Sequence, residues 1–316
     1  MSIIKGIKVG TTDITSTYVN GNSRSDTKEM EVTAVSLQDI GYIATPDNTV
    51  YTGSAITPTP VVTANFDGDV VTLDYGIDYT LSYSNNTNVG TATVTATGIG
   101  NYTGSISSSW SITGATLTVN SPDQYYDYDG TLHGTAVSAT SVNSQTITIR
   151  YRTTNSGDYN ITSTPQIRNV ADSKIIYYKV SAPNHADYTG SYILEVNPLN
   201  AVLSWGTLSW TYDGTAHSTT CVVSNLVSGD TCDVILSGNT ITDIGTTTVT
   251  ATGLSNSNYS LYNDLTRTLT VSPGLFIRLS GVWTPVRKVF KRVYGTWVEQ
   301  DMQTAFSTSE RYIKMN

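Results

Sequence analysis

The groups from which chemistry can be assembled are few: three histidines, two cysteines and some Asp-rich loops. His133 and His217 stand at the same place after a Y-D-G-T motif, at Tyr128 to Thr131 and Tyr212 to Thr215, so repetition assigns them to structure, and His185 is given the same role. Five Glu in the chain leave little for paired acid–base work, and no G-x-S-x-G elbow, H-E-x-x-H pair or phosphate loop is present. No catalytic residue and no enzyme activity is therefore expected. Cys221 and Cys232 are eleven residues apart with no third or fourth ligand nearby, which argues against zinc. They can face each other across a hairpin as a local disulfide or act as two buried thiols; the thiols are favoured. Asp123 to Asp129 and Asp67-Gly68-Asp69 lack the ligand spacing of a calcium loop and read as solvated turns. No metal and no cofactor is expected. A Lys–Asn isopeptide would have only Lys174 and Lys179, with Glu195 as the nearby Glu, to draw on.

Two aromatic or basic clusters suit binding better than catalysis. Tyr125, Tyr126 and Tyr128 can offer ring faces to a sugar while neighbouring Asp and Asn bond its hydroxyls, although the alternation of Y-Y-D-Y also sends some rings inward. Arg287-Lys288 and Lys291-Arg292 lie among Trp and Tyr, as in a nucleic-acid binder, yet in a hairpin such charges more often meet acidic neighbours or an acidic partner subunit.

The elements that position these residues are strands. Charged residues make up 13% of the 316, against roughly 25% in ordinary soluble domains, and 53 Thr, 35 Ser, 25 Gly and 21 Tyr take their place. Thr, Tyr and Val suit half-buried strands, and Gly, Asn, Asp and Ser suit the turns between them. The fold class is all-β. Net charge is +1 over residues 1–30, −13 over 31–273 and +4 over 274–316. The acidic middle repels nucleic acid and anionic lipid, so nucleic acid is not expected as a partner, and with no run of 18 apolar residues neither is a membrane. The opening residues show no Sec-type signal.

Internal repetition sets the organisation. Y-T-G-S at Tyr51, Y-D-G-T at Tyr128 and Y-D-G-T at Tyr212 recur at separations of 77 and 84. A second landmark follows in each unit, from Val89, Ile175 and Ile244, and each unit ends in a short alternating strand. Within Thr91 to Ala96 and Thr246 to Ala251 the period is two, with small or apolar residues on one side and threonines on the other. About seven short strands per unit would pack as two antiparallel sheets. The expected division is 1–35 as an attachment segment, sandwiches at 36–113, 114–197 and 198–273, and a hairpin module at 274–316.

The first unit, with Y-T-G-S-A-I-T-P at Tyr51, D-Y-T-L-S-Y-S-N-N-T-N-V-G-T-A-T-V-T-A-T-G at Asp78 and G-N-Y-T-G at Gly100, resembles bacterial immunoglobulin-like repeats of surface adhesins. The third, with Y-D-G-T-A-H at Tyr212 and D-I-G-T-T-T-V-T-A-T-G-L at Asp243, resembles the related MBG-type adhesin repeat, and the second follows it more loosely. The resemblance implies three tandem immunoglobulin-like β-sandwiches, without naming a ligand.

The ends carry other patterns. Residues 4 to 21 alternate well enough to add strands to another protein's sheet, with Ile7, Val9, Ile14, Tyr18 and Val19 as the attachment residues. The K-V-G-x-T-D-I opening is similar to virion proteins of tailed bacteriophages. Arg278 to Trp283 and Arg292 to Trp297 form a second small repeat resembling the G-x-W hairpins of phage structural proteins, with turns at Ser280-Gly281 and Tyr294-Gly295. Two hairpins bury too little surface to stand alone, so Trp283, Trp297, Arg278 and Arg292 are expected to pack on the third sandwich or on another copy. Together these features describe a non-enzymatic phage virion appendage, assembled in the bacterial cytoplasm as a capsid decoration, head fibre, collar or tail-associated protein. Its expected partners are other virion proteins, host-surface or mucus glycans and further copies of itself. The alternative is a bacterial cell-surface adhesin.

Overall fold

Alternation of hydroxyl with small or apolar residues sends one side of a strand to a core and the other to water, and this pattern builds most of the molecule. A computed structural model describes residues 10–18, 24–274, 276–279, 281–286 and 288–300. Each repeat has one four-stranded sheet. In the first repeat it consists of β1 (Thr49–Val50), β2 (Tyr79–Ser84), β3 (Gly90–Gly98) and β4 (Ser105–Thr113). The second uses β5 (Gln124–Asp127), β6 (Thr148–Arg152), β7 (Lys174–Ser181) and β8 (Tyr188–Asn197). The third uses β9 (Ser209–Thr211), β10 (Val234–Ser237), β11 (Gly245–Leu254) and β12 (Thr266–Ser272).

The sheet order is the same three times: β1-β4-β3-β2, β5-β8-β7-β6 and β9-β12-β11-β10. In every case the short first strand runs parallel to the last, as β1 with β4, β5 with β8 and β9 with β12. The pairs β2–β3, β3–β4, β6–β7, β10–β11 and β11–β12 are antiparallel. A smaller sheet completes each sandwich. It is Gly41–Ile43, Val62–Phe66 and Asp69–Thr72 in the first repeat, Thr118–Asn120 with Ser138–Thr140 in the second, and Leu203–Trp205 with Cys221–Val223 in the third. The chain is all-β, with three tandem immunoglobulin-like β-sandwiches.

The inward positions make the cores. Leu37, Val62, Ala64, Ala92, Val94, Ala96, Trp110 and Ile112 form that of the first repeat, and Ile241, Val249, Leu269 and Val271 that of the third. In the second, Ile176, Tyr178 and Val180 of β7 and Tyr192, Leu194 and Val196 of β8 are buried. Each Val, Leu or Ile among them removed from water contributes about 1.5–3 kcal/mol relative to exposure.

The outward face of the first sheet is a grid of hydroxyls. Thr80, Ser82 and Ser84 of β2 oppose Thr97, Thr95 and Thr93 of β3, which in turn oppose Ser105, Ser107 and Ser109 of β4. The last two strands bond rung by rung, Thr93 to Ser109 at 3.2 Å, Thr95 to Ser107 at 2.8 Å and Thr97 to Ser105 at 3.1 Å. In the third repeat Thr246, Thr248 and Thr250 oppose Thr270, Thr268 and Thr266. The second repeat differs: Arg150 opposes Lys179, and Arg152 opposes Tyr177 and also lies 4.4 Å from the Tyr159 ring centroid.

Described residues within Met1–Ser121, Ala136–Ser163 and Tyr177–Ser191 form one compact unit, and those within Pro122–Thr135, Thr164–Ile176 and Tyr192–Asn316 another. The second repeat is shared between the two. Tyr51, Asn143, Asn184 and His185 belong to the first of these units, and Tyr128, Val227, Asn258 and Tyr259 to the second.

Near the N-terminus, Gly10–Tyr18 pairs antiparallel with Arg24–Val32, setting Ile14 opposite Lys28 and Tyr18 opposite Arg24. The stretch expected to add strands to another protein's sheet thus already has a partner of its own. Ile7, Val9 and Val19 lie outside the described residues. At the other end Phe276–Leu279 pairs with Val282–Pro285, and Val289–Val293 with Thr296–Gln300, giving the two expected hairpins. Tyr294 and Gly295 both take positive φ, 46° and 86°, the form whose twist suits a two-residue hairpin turn.

Candidate functional site

The Y-x-G turn starts at the same backbone hydrogen bond in all three repeats. The N–H of Tyr51, Tyr128 and Tyr212 donates at 2.9 Å to the carbonyl of Thr113, Asn197 and Ser272 respectively, tying the turn to the end of the last strand. In the second repeat Asp129 Oδ1 then accepts from Thr131 N (2.8 Å), Thr131 Oγ1 (2.7 Å) and His133 Nε2 (2.8 Å). The Thr131 bonds, led by its backbone N–H, lower the Asp129 carboxyl to about 2. Asp213 repeats this with Thr215 at 2.9 and 2.8 Å, again lowering its carboxyl. His217 Nε2 lies 3.0 Å from Asp213 Oδ1, but off the axis of a good hydrogen bond.

Each of these histidines stacks on the aromatic residue two positions before the tyrosine. His133 lies 4.4 Å from Tyr126 at 18°, and His217 lies 5.2 Å from Trp210 at 14°. The first repeat has Thr49 and Ile56 at those two places and closes its turn through Thr52 and Ser54 instead. Both histidines are thus held within their turns by the aspartate on one side and the aromatic ring on the other. What the sequence reading missed was the aromatic platform beneath them, signalled by Tyr126 and Trp210 at a fixed offset.

These turns form half of a joint that is built twice. Between the first and second repeats, Tyr51 meets His185 edge to face, 5.7 Å between centroids at 70°. Between the second and third, Tyr128 meets Tyr259 at 5.7 Å and 74°. His185 and Tyr259 are equivalent by backbone: the parallel pairings Ala115 with His185 and Leu199 with Tyr259 match that of Val35 with Tyr102 in the first repeat. Aligning the recurrent Y-T-G motif instead puts Tyr188 over Tyr102, which hides the role of His185.

An asparagine before each of these rings completes the clasp. Asn184 Oδ1 accepts from Val89 N and its Nδ2 donates to Asn88 Oδ1, both at 3.0 Å. Asn258 treats Val170 N (3.0 Å) and Asn169 Oδ1 (3.1 Å) in the same way. A valine N–H from a neighbouring loop bonds the joint ring, Val142 N to His185 Nε2 at 2.9 Å and Val227 N to Tyr259 Oη at 2.7 Å. Because Nε2 accepts there, the His185 proton sits on Nδ1 and donates to Pro183 O at 2.7 Å. A second proton on this ring would point at the Val142 N–H. Tyr259 can both accept and donate, and its hydroxyl passes on to Asp230 Oδ2 at 2.8 Å.

The glycines of the first two turns are fitted to this contact. Gly53 and Gly130 have φ of +84° and +76°, and a Cβ on either would lie 2.6 Å from Asn143 Cβ or Val227 Cγ1. Gly214 has the same backbone, φ +82°, and among the described residues nothing lies within 4 Å of its Cβ position.

The tyrosine cluster is distributed rather than convergent. Tyr125 is exposed (55%) and Tyr126 is half-buried beneath His133. Tyr128, expected among possible sugar contacts, is 4% exposed, and its hydroxyl donates to Asp230 at 2.8 Å. It belongs to the joint and offers no ring face, because the third sandwich covers it. Burial first, then Asp230, raises the Tyr128 phenol to about 12, and burial also raises Tyr259.

Arg278 and Arg292 each direct Nε to the carbonyl of their own turn, Gly281 at 3.2 Å and Gly295 at 3.3 Å. Trp297 is half-buried, and Trp283 stands opposite Arg278 in the strand register. Cys221 and Cys232 are both free and buried, so the hairpin disulfide does not form. Burial pushes the Cys221 thiol up. Lys179 spends its charge on Asp187 at 2.6 Å, and Lys174 is exposed, so neither is a buried lysine poised for an isopeptide. Among the described residues, no three His, Cys, Asp or Glu side chains gather where they could hold a metal, and no helix is long and apolar enough to cross a membrane.

No family model matches the chain. No curated protein matches it either. Among solved structures it is similar to Sidekick-1 immunoglobulin domains 1-5, at 13% identity and a TM-score of 0.27, over 84% of this chain and 66% of that one. The immunoglobulin-like architecture rests on the strand pairings above, not on this superposition.

Proposed function

We propose that this chain is a non-enzymatic appendage protein of a bacteriophage virion, serving as a capsid decoration, head fibre, collar or tail-associated component. The observation that carries the structural part of this reading is the duplicated clasp at Tyr51–His185 and Tyr128–Tyr259, which spends conspicuous side chains on joining sandwiches. Placement on a virion is supported by the sequence resemblances at the opening segment and in the G-x-W hairpins. The N-terminal hairpin holds the chain to other virion proteins. Exposed Tyr125 and the hydroxyl faces of the first and third repeats supply weak contacts to host-surface or mucus glycans, multiplied by copy number on one particle.

Deletion of residues 1–30 followed by particle purification tests the attachment. Loss of the protein from particles is expected, whereas undiminished incorporation overturns the assignment. The full chain displayed on beads and passed over a glycan array is expected to bind only when multivalent. Silence against every glycan and host surface leaves a spacer. Recovery of the protein on the bacterial wall and never on particles would favour a cell-surface adhesin.

A further inference from the structure

We infer that the outward face of β6 and β7 in the second repeat selects anions, and that its ligand is a glycan bearing carboxylates. This rests on the adhesive reading above and narrows it to acidic sugars. The distribution of charge comes first. Residues 31–273 hold six Lys and Arg, and five of them, Arg150, Arg152, Arg168, Lys174 and Lys179, fall in the second repeat. The first repeat, 36–113, has none. Where the first and third repeats set ranks of Thr and Ser on this side of the sheet, the second sets Arg150 opposite Lys179 and Arg152 opposite Tyr177. Arg150 and Arg152 share one face because they are two apart on a strand, and Tyr151 between them is buried in the core.

Like charges directly opposite each other weaken a pair of strands, so Arg150 and Lys179 are a cost to the fold. Lys179 is balanced by Asp187 at 2.6 Å, while Arg150 stays exposed. Arg152 is fixed in place. Its Nη1 donates to Gly157 O at 2.6 Å and its Nη2 to Asn155 O at 3.0 Å. Its guanidinium lies 4.4 Å from the Tyr159 ring centroid and 5.4 Å from that of Tyr177. All four partners are uncharged, so they hold the cation still without neutralising it. Arg152 thus supplies a standing positive field, and Arg150 the planar fork that meets a carboxylate with two parallel N–H donors. The half-buried rings of Tyr159 and Tyr177 border the cations with apolar surface for a sugar ring. Charge also discriminates between anions. Net charge of −13 over residues 31–273 repels duplex nucleic acid, with a charge about every 1.7 Å, far more than a glycan whose carboxylates are spaced by neutral sugars.

The probes are hyaluronate, with a carboxylate on every second sugar, and the same polymer with its carboxyls reduced to alcohols. The full chain displayed on beads is expected to retain the first and not the second. Arg150→Gln, at an exposed position and checked for native melting, is expected to weaken retention at least about ten-fold, the scale of one hydrogen bond to a charged group. Arg150→Lys keeps the charge without the fork and is expected to fall between. Arg267→Gln removes the same charge from the third repeat and is expected to leave retention unchanged. Equal retention of both polymers overturns the inference and leaves the adhesive reading standing. Retention that survives Arg150→Gln overturns it too, by placing the anion elsewhere on the chain, and preference for duplex DNA overturns it in favour of a nucleic acid. Capture of neither polymer also overturns it, and the adhesive reading falls with it only if neutral glycans are silent as well.

Discussion

Tyr128 and Tyr259 meet edge to face, and both hydroxyls donate to the same oxygen of Asp230, each at 2.8 Å. Three residues from two sandwiches therefore share one carboxylate, and Val227 N enters the network through the Tyr259 hydroxyl. A hydrogen bond to a charged group contributes about 1.5–3 kcal/mol.

Tyr128→Phe removes one donor to Asp230 while keeping the ring contact, and a loss of about 1–3 kcal/mol is expected by denaturant unfolding. The alkaline limb follows from the same burial. The Tyr128 phenol is raised from 10.0 to about 12 in the folded chain, so its contribution is full below pH 10 and is lost as pH rises towards 12. Ultraviolet titration is expected to show Tyr128 ionising only as pH approaches 12, with unfolding in that window. Ionisation of Tyr128 near pH 10 would refute the joint.

The glycines offer a graded comparison. Gly53→Ala and Gly130→Ala combine backbone strain with a clash against Asn143 or Val227, whereas Gly214→Ala meets only the strain. The first two are expected to be less stable than the third by about 1–3 kcal/mol, the usual cost of overpacking. Equal losses in thermal melts would mean that the joints are not closed in solution.

His185 and Tyr259 fill one position with different chemistry. His185→Phe keeps a ring beside Tyr51 but leaves the Val142 N–H without its acceptor, at an expected cost of about 1–3 kcal/mol. In that variant hydrogen exchange is expected to speed up at Val142. Val227, held by the Tyr259 hydroxyl, is expected to exchange as it does in the unmodified chain.

The thiols give a negative control on the third sandwich. Cys221 and Cys232 are unbonded and buried, so reductant is expected to leave the melting temperature unchanged. Alkylation is expected only as the chain unfolds, because burial also raises the Cys221 thiol and depletes thiolate. Rapid labelling of the native chain would contradict that burial.

The strands and cores were legible because Thr91 to Ala96 and Thr246 to Ala251 keep a strict period of two, which fixes both pairing face and wet face. The joints were not legible for a different reason. Tyr128 reads as a binding aromatic by its neighbours Tyr125 and Tyr126, and only the fold brings Asp230, 102 residues away, against its hydroxyl. His185 was obscured by the Y-T-G motif at Tyr188, since motif matching slides the second repeat by three residues against its backbone register. Contacts between repeats leave no periodic trace within either one. They follow from comparing equivalent positions, where Gly53, Gly130 and Gly214 differ by what stands over them.

The lattice of Thr and Ser on the outer sheet of the first repeat holds no ion, and its rungs satisfy one another across neighbouring strands. Nothing there titrates and nothing there is shielded by electrolyte. Whether bathed in brine, dilute acid or fresh water, that side of the sandwich presents an unaltered coat to its surroundings.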